Sequence, residues 1–357
     1  MIVEPKQFQR KAQEPDELLR IAESLRISAM FPVQRPEYYI HANNCCISTP
    51  GNITGIIGAS KSGKSAFMSS LISGAIQDAL EMDCFGFKVA PNKQMKVVMS
   101  IDSEMSEYDS YRRHVAILKM GAFDREPEYF RSYLFRTIPV RDRFQSLELL
   151  LDKQAQAFGG VHMLFGDGIA DFVASVNDEA ECNEAVHKFE AIAIKYKCPA
   201  ILVLHLNPGS DSKTRGHLGS QLERKAESIL VVSKRDGVSS IEGKLLRNSG
   251  DIPIQEFVFD TSAGHHVSIG KKDKVDEKAE LLRSFVQEVI QIIKSEPGEM
   301  ITYMSLVDRV MENCYIKIDM AKKKIANIKK LGYLIDSRHG GKKMLQINQQ
   351  IPNVELL

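Results

Sequence analysis

Between about Tyr39 and Asp260 the chain alternates short apolar, β-branched runs with stretches of helical period. The runs at 53–57, 96–101, 161–165, 200–204, 228–232, 243–246 and 254–259 are predicted strands. Several are continuously apolar, as in strands buried on both faces of a mainly parallel sheet. The stretches at 65–80, 106–120, 143–156 and 178–196 are predicted helices between the earlier strands. This pattern predicts an α/β fold: a mostly parallel sheet flanked by helices, occupying residues 36–269.

The pattern changes at both ends. Residues 15–28 place Leu18, Leu19, Ile21, Ala22 and Leu25 on one side of a short helix, within an N-terminal arm of residues 1–35. The polar stretch 270–278 (GKKDKVDEK) is an expected linker. Beyond it, 279–295, 302–314 and 318–331 read as helices, and 333–347 as a hairpin around His339-Gly340-Gly341. The amphipathic runs alone fit a three-helix bundle equally well. The hairpin and the Lys-rich third helix favour a small winged-helix-like domain at 279–357.

Composition narrows the class. Of 357 residues, 43% are hydrophobic and 26% charged, the balance of a soluble globular chain rather than a disordered one. No run approaches the roughly 20 apolar residues of a membrane helix. The N-terminus has no apolar run behind its basic residues, so a secretory signal is not expected. The six cysteines show no metal-ligating or scaffold spacing, and reduced thiols in a cytoplasmic protein are the expectation. The net charge of +1 conceals a bias: Lys317 to Lys343 holds nine basic residues against two acidic, +7, so the rest sums to −6. A near-neutral chain with one basic end suggests a module that meets a polyanion; a solvated helix face is the plainer explanation of the lysines.

The most specific motif is Gly58-Ala59-Ser60-Lys61-Ser62-Gly63-Lys64-Ser65, which fits the phosphate-loop pattern GxxxxGK[ST] between a predicted strand and a predicted helix. Glycines let the backbone curl around a phosphate, and N–H groups at a helix N-terminus point into the curl. In such a loop Lys64 reaches the β- and γ-phosphates of ATP and Ser65 offers a hydroxyl to Mg²⁺. The strand 162–167 ends in Asp167, expected to hold the metal, with Asp171 a weaker candidate in the next turn. The strand 97–102 leads into Asp102-Ser103-Glu104. A carboxylate there can hold the attacking water; Glu104 is the first choice and Asp102 the fallback, and both could instead cap the next helix.

Together these residues resemble RecA-type ATPases, and among them the hexameric replicative helicases of the DnaB type and of the plasmid RepA type. Glu104-Met105-Ser106 matches the Glu-Met-Ser that carries the catalytic glutamate in the DnaB type. The strand 201–206 resembles the one ending in the family's γ-phosphate sensor, which here is His205. Lys244-Leu245-Leu246-Arg247-Asn248 resembles the late Lys-x-Arg-Asn pattern with one extra residue. In the family those cations enter a neighbouring subunit's ATP site, so Lys244, Arg247 or both would act in trans. The N-terminal arm does not resemble the DnaB collar, which favours the smaller RepA-like proteins of plasmids and mobile elements.

The resemblance implies an ATP- and Mg²⁺-dependent motor, a hexameric helicase or translocase on single-stranded DNA. The alternative is an ATP-switched DNA loader or recruitment protein without unwinding; a third class is a kinase-like or signalling ATPase with an incidental basic tail. The loop 207–219 resembles the DNA-facing loop of the plasmid helicases, and its Lys213 and Arg215 are candidate phosphate contacts, though a plain surface loop would look similar. In the C-terminal domain, Lys323 and Lys330 share one side of the third helix and Lys342 lies on the hairpin, a pattern suited to duplex DNA backbone; docking onto a neighbour or an acidic protein is the alternative.

Overall fold

The computed structural model of the chain describes residues 15–206, 214, 216–247, 251–272 and 274–348. It divides into two compact units, Met1–Glu37 and Tyr38–Leu357. In the first, α1 (Pro15–Ser24) stops four residues short of the expected end, and its Leu18, Leu19 and Ile21 are exposed.

The second unit begins β1 (Ile40–Ala42), β2 (Cys45–Ser48), β3 (Ile53–Gly58), α2 (Lys64–Ala75), β4 (Met82–Cys84), β5 (Phe87–Val89), β6 (Val97–Asp102), α3 (Glu107–Met120) and β7 (Phe130–Leu134). It continues with α4 (Val140–Phe158), β8 (Val161–Asp167), α5 (Glu179–Tyr196), β9 (Ala200–His205), α6 (Gly216–Lys225), β10 (Ser228–Arg235), β11 (Val238–Leu246), β12 (Ile254–Asp260) and β13 (His265–Lys272).

Nine strands form one sheet in the order β13-β12-β11-β10-β3-β9-β8-β6-β7. The six from β10 to β7 run parallel, and β11, β12 and β13 extend that sheet as antiparallel strands. The expected α/β architecture is therefore present. Alternation along β3 separates the two cores. Ile53 and Ile57 join Leu147, Phe189 and Leu222 under α4, α5 and α6, while Ile56 joins Phe67, Leu71 and Ile117 under α2 and α3. Every residue of β3, β6 and β8 is buried, which explains their unbroken apolar character.

Several expected boundaries are corrected. The helix expected to reach residue 80 ends at Ala75: Ile76 caps it, and Gln77 turns off to donate to the Gly121 carbonyl. The chain then forms β4 and β5, which join β1 and β2 in a separate antiparallel sheet, order β2-β1-β5-β4. The expected linker 270–278 does not exist as a linker. Residues 270–272 finish β13, which pairs with β12 from Asp260↔His265 to Ile254↔Lys272, and helix α7 (Lys274–Lys294) follows. A polar, Lys-rich run suits an edge strand, where charge discourages further pairing. The expected loop 207–219 is shortened at its far end, because α6 starts at Gly216.

The C-terminal elements are α7, α8 (Tyr303–Cys314), α9 (Ile318–Lys330), β14 (Leu334–His339) and β15 (Lys342–Ile347). They enclose their own core, in which Val289, Ile293, Leu306, Val310, Ile325 and Leu345 are buried. Thr302 caps α8 by accepting from the Ser305 N–H. The hairpin turn is Gly340-Gly341, with φ of +55° and +76°, a geometry that favours glycine. The buried stripe of α9 is Ala321, Ile325 and Ile328; Leu331, expected in that stripe, is 49% exposed because the helix ends there and Gly332 (φ +87°) turns the chain away. Lys323, Lys330 and Lys342 are all exposed.

Candidate active site

The phosphate-loop motif sits where the sheet opens at the carboxyl end of β3. Gly58 lies so close to the neighbouring strand that a Cβ would overlap the Val232 carbonyl. Gly63 adopts φ +105°, and a Cβ there would lie 2.8 Å from Ser239 Oγ and 2.9 Å from the Phe257 ring. Both glycines are required sterically, so the loop can turn sharply from β3 into α2. Ala59, Ser60 and Lys61 form its exposed rim, whereas the Ser62 hydroxyl is buried without a hydrogen-bond partner among the described residues.

Lys64 is 4% exposed, and its ammonium donates to the carbonyls of Gly58 (2.9 Å) and Ala59 (2.6 Å). Burial lowers its pKa from the ordinary lysine value, opposed by the nearby Asp167 and Glu104 carboxylates. The same ammonium lies 3.2 Å from His205 Nδ1, and His205 Nε2 lies 3.1 Å from Glu104 Oε2. Hydrogen-bond logic assigns the ring proton to Nε2: Nδ1 accepts from Lys64, and Nε2 donates to Glu104. Lys64, His205 and Glu104 thus form a continuous chain across the ends of β3, β9 and β6.

A second cluster adjoins it. Ser65 Oγ donates to Asp167 Oδ2 at 3.0 Å. Asp167 ends β8, pairs in register with Asp102 at the end of β6, and is 4% exposed. Burial is the largest influence on Asp167 and raises its pKa, with Arg113 opposing. A serine hydroxyl beside two buried carboxylates is an all-oxygen donor set, which suits Mg²⁺.

Asp102 and Glu104 have different local roles. Asp102 Oδ1 accepts from the Glu104 and Met105 N–H groups, both at 2.9 Å, and so fixes the turn that presents Glu104. The cap of α3 is Ser106, which accepts from the Asp109 N–H. Asp167 caps nothing; Gly168 precedes the short 3₁₀ turn after it. Asp171, the weaker candidate, faces away from this site: its carbonyl accepts from Arg143, and its carboxylate lies 3.9 Å from the same guanidinium.

The sequence reading missed Arg113. Its Nη1 lies 3.0 Å from Asp102 Oδ2 and 2.9 Å from Asp167 Oδ2, and its Nε donates to Ser69 Oγ. One guanidinium therefore links α3, α2 and the ends of both acidic strands. Its signal in the sequence was slight: an arginine seven residues after the Ser106 cap, in a helix with an adjacent Arg112.

No protein-family model and no curated protein matches this chain. Among solved structures it is similar to a KaiC-like protein, PH0186, from Pyrococcus horikoshii OT3, with 16% identity and a TM-score of 0.44 over 66% of this chain and 99% of that one. It is also similar to a second solved structure, an isolated ATPase domain, with 14% identity and a TM-score of 0.43 over 61% of this chain and 84% of that one.

The remaining expected site residues lie elsewhere or outside the described residues. β11 runs antiparallel to β10, pairing Val238 with Arg235 at the phosphate-loop edge and Leu246 with Ser228 at the opposite edge. Arg247 follows Leu246, so it lies about 15 Å or more from its own phosphate loop, the length of four to five strand residues. Its guanidinium donates to the carbonyls of Lys225 and Ala226 at the end of α6. Lys244, nearer along β11, pairs with Glu223 at 2.8 Å. The structure thus separates Arg247 from Lys64, Glu104 and His205 within one chain. Lys213 and Arg215 lie outside the described residues.

Proposed function

We propose that this protein is a RecA-type, Mg²⁺-dependent ATPase that assembles as a ring, a hexamer of the RepA/DnaB helicase kind, and moves on single-stranded DNA in the cytoplasm. The observation that carries the reading is the Lys64–His205–Glu104 chain beside the Ser65–Asp167 pair. A protein that only held nucleotide would need the loop and the lysine. The carboxylate across from them, braced by a histidine, is what hydrolysis adds.

In this reading the loop 58–65 wraps the triphosphate, and Lys64 exchanges the Gly58 and Ala59 carbonyls for phosphate oxygens. Ser65 and Asp167 hold Mg²⁺, which neutralises phosphate charge when bound. Glu104 orients the attacking water, and His205 reports the state of the γ-phosphate to the segment that follows it. That segment, with Lys213 and Arg215, is the proposed contact with single-stranded DNA.

Arg247 supports a ring rather than a monomer. Its distance from its own phosphate loop leaves only a neighbour's γ-phosphate within its reach, where an arginine supplied in trans stabilises the transition state strongly. The exposed apolar residues of α1 would serve as a strap between subunits. Lys323, Lys330 and Lys342 are proposed to touch duplex or forked DNA through a winged-helix-like C-terminal domain.

The test is the ATPase rate with and without single-stranded DNA, run beside a sizing experiment with and without ATP. DNA stimulation together with an ATP-dependent ring supports the motor. Nucleotide binding with DNA-independent, slow turnover and no assembly refutes it.

A further inference from the structure

The described residues include a cavity of about 690 Å³ that opens beside the first turn of α2. Its volume falls within the range of small-molecule sites. Ser65 and Ala66 form one wall, α3 a second through Met105 and Ala116, and the β12–β13 turn a third through Phe259 and His266. Ser65 belongs to both places: its hydroxyl reaches Asp167, and it also lines this cavity. The cavity is therefore continuous with the phosphate loop. It also lies away from the hydrolytic end. His205 is on β9, on one side of β3, whereas the β12–β13 turn is reached across β10 and β11 on the other.

Phe259 is the notable residue. A phenylalanine at the end of a strand, 54% exposed, has little reason to be there for stability. His266 packs edge-on against it, with ring centroids 5.3 Å apart and planes at 76°, which holds the phenyl face toward the cavity. Burial and the neighbouring Lys234 and His265 lower the His266 pKa, favouring an uncharged ring beside it. Flat apolar walls next to a phosphate-binding turn are the complement of a nucleoside.

We propose that this cavity is the nucleoside subsite, in which the base stacks on Phe259 backed by His266. The proposal rests on the reading of 58–65 as a triphosphate site and adds to it how the base is held. Stacking tolerates any base, because each has a π-face. The long polar side chains around the cavity, Arg112 and Lys119, carry donors alone and present no fixed donor–acceptor pair to a base edge. ATP and GTP are therefore expected to bind within about ten-fold of each other.

The experiment titrates the full chain with ATP, GTP and inorganic tripolyphosphate in the presence of Mg²⁺, for the unaltered protein, Phe259→Ala, Phe259→Tyr and Lys64→Ala. Removing a stacked ring weakens base binding by about ten-fold or more. Phe259→Ala should show that loss for ATP and leave tripolyphosphate within about two-fold, and Phe259→Tyr should restore ATP binding. The exposure of Phe259 argues against misfolding as the cause of any loss, and thermal melting of each variant checks it. The proposal is overturned if Phe259→Ala leaves ATP binding unchanged, if it weakens ATP and tripolyphosphate equally, or if ATP outcompetes GTP by more than about a hundred-fold. If Lys64→Ala leaves tripolyphosphate binding intact, the phosphate-loop reading itself fails, an outcome distinct from the others.

Discussion

Arg113→Ala is the most informative single change. Asp102 and Asp167 are 3% and 4% exposed, and one Arg113 nitrogen lies within 3.0 Å of both carboxylates. Truncation leaves two buried, neighbouring carboxylates without that cation. Breaking a buried charge arrangement by removing one partner costs about 3–5 kcal/mol. That is a large fraction of the roughly 5–15 kcal/mol typical of a folded domain and corresponds to a melting-temperature fall of roughly 10 °C.

The penalty should depend on pH with a definite sign. Asp167 already has a raised pKa, and losing Arg113 raises it further. A carboxyl whose native pKa exceeds its unfolded value contributes its stability at low pH, where it is protonated in both states. That contribution is lost as pH rises through the native pKa. The gap between the unaltered protein and Arg113→Ala should therefore be small near pH 4 and widen toward pH 8. Urea denaturation at several pH values measures it. Asp102→Asn in the Arg113→Ala background should recover part of the loss by removing one charge, and Arg113→Lys should fall between, since an ammonium cannot reproduce the guanidinium fork. A cost below about 1 kcal/mol at pH 8, with no pH dependence, would refute the claim that Arg113 neutralises this pair.

Lys64→Ala should abolish ATP hydrolysis and weaken ATP binding, whereas Glu104→Gln should retain binding and lose turnover by orders of magnitude; a reversed ranking of Glu104→Gln and Asp102→Asn would move the water-positioning role to Asp102. Mixing Arg247→Ala with Lys64→Ala subunits should restore some ATPase activity through composite sites, and an inactive mixture that still assembles removes the in-trans role. Combined Lys323→Glu, Lys330→Glu and Lys342→Glu should lower DNA affinity and flatten its salt dependence, as read in titrations at several ionic strengths. His162 is 5% exposed and its pKa is lowered to about 4, chiefly by burial, so stability should fall as pH drops from about 6.5 toward 4, by up to about 3 kcal/mol from this group. His162→Gln should reduce that slope in denaturation curves, and an unchanged slope would assign the acid sensitivity to other groups.

Local chemistry made part of this protein legible from its residues. The loop 58–65 could be read because a backbone that curls around a phosphate needs glycine at set positions, and Gly58 and Gly63 meet steric limits that no other residue satisfies. The parallel strands could be read because burial on both faces leaves no polar position in β3, β6 or β8 facing solvent. Helix starts could be read where a side chain caps them, as at Ser106, Asp178 and Thr302.

Relations between distant segments could not be read this way. β1, β2, β4 and β5 are three or four residues each and carry no periodic signal; their pairing with one another makes them strands. Residues 270–272 are polar enough for a linker, and only the unpaired edge of β12 draws them into β13. Arg113 gains its role because β6 and β8 end side by side and bring Asp102 and Asp167, 65 residues apart in the chain, under one guanidinium. The antiparallel return of β11 likewise carries Arg247 to the far edge of the sheet, away from the motif its spacing had associated it with. Sequence alone determined which residues could bind phosphate and which runs would be buried, because those depend on a residue and its near neighbours. Only tertiary structure decided which charges meet, because strand order and direction set those distances.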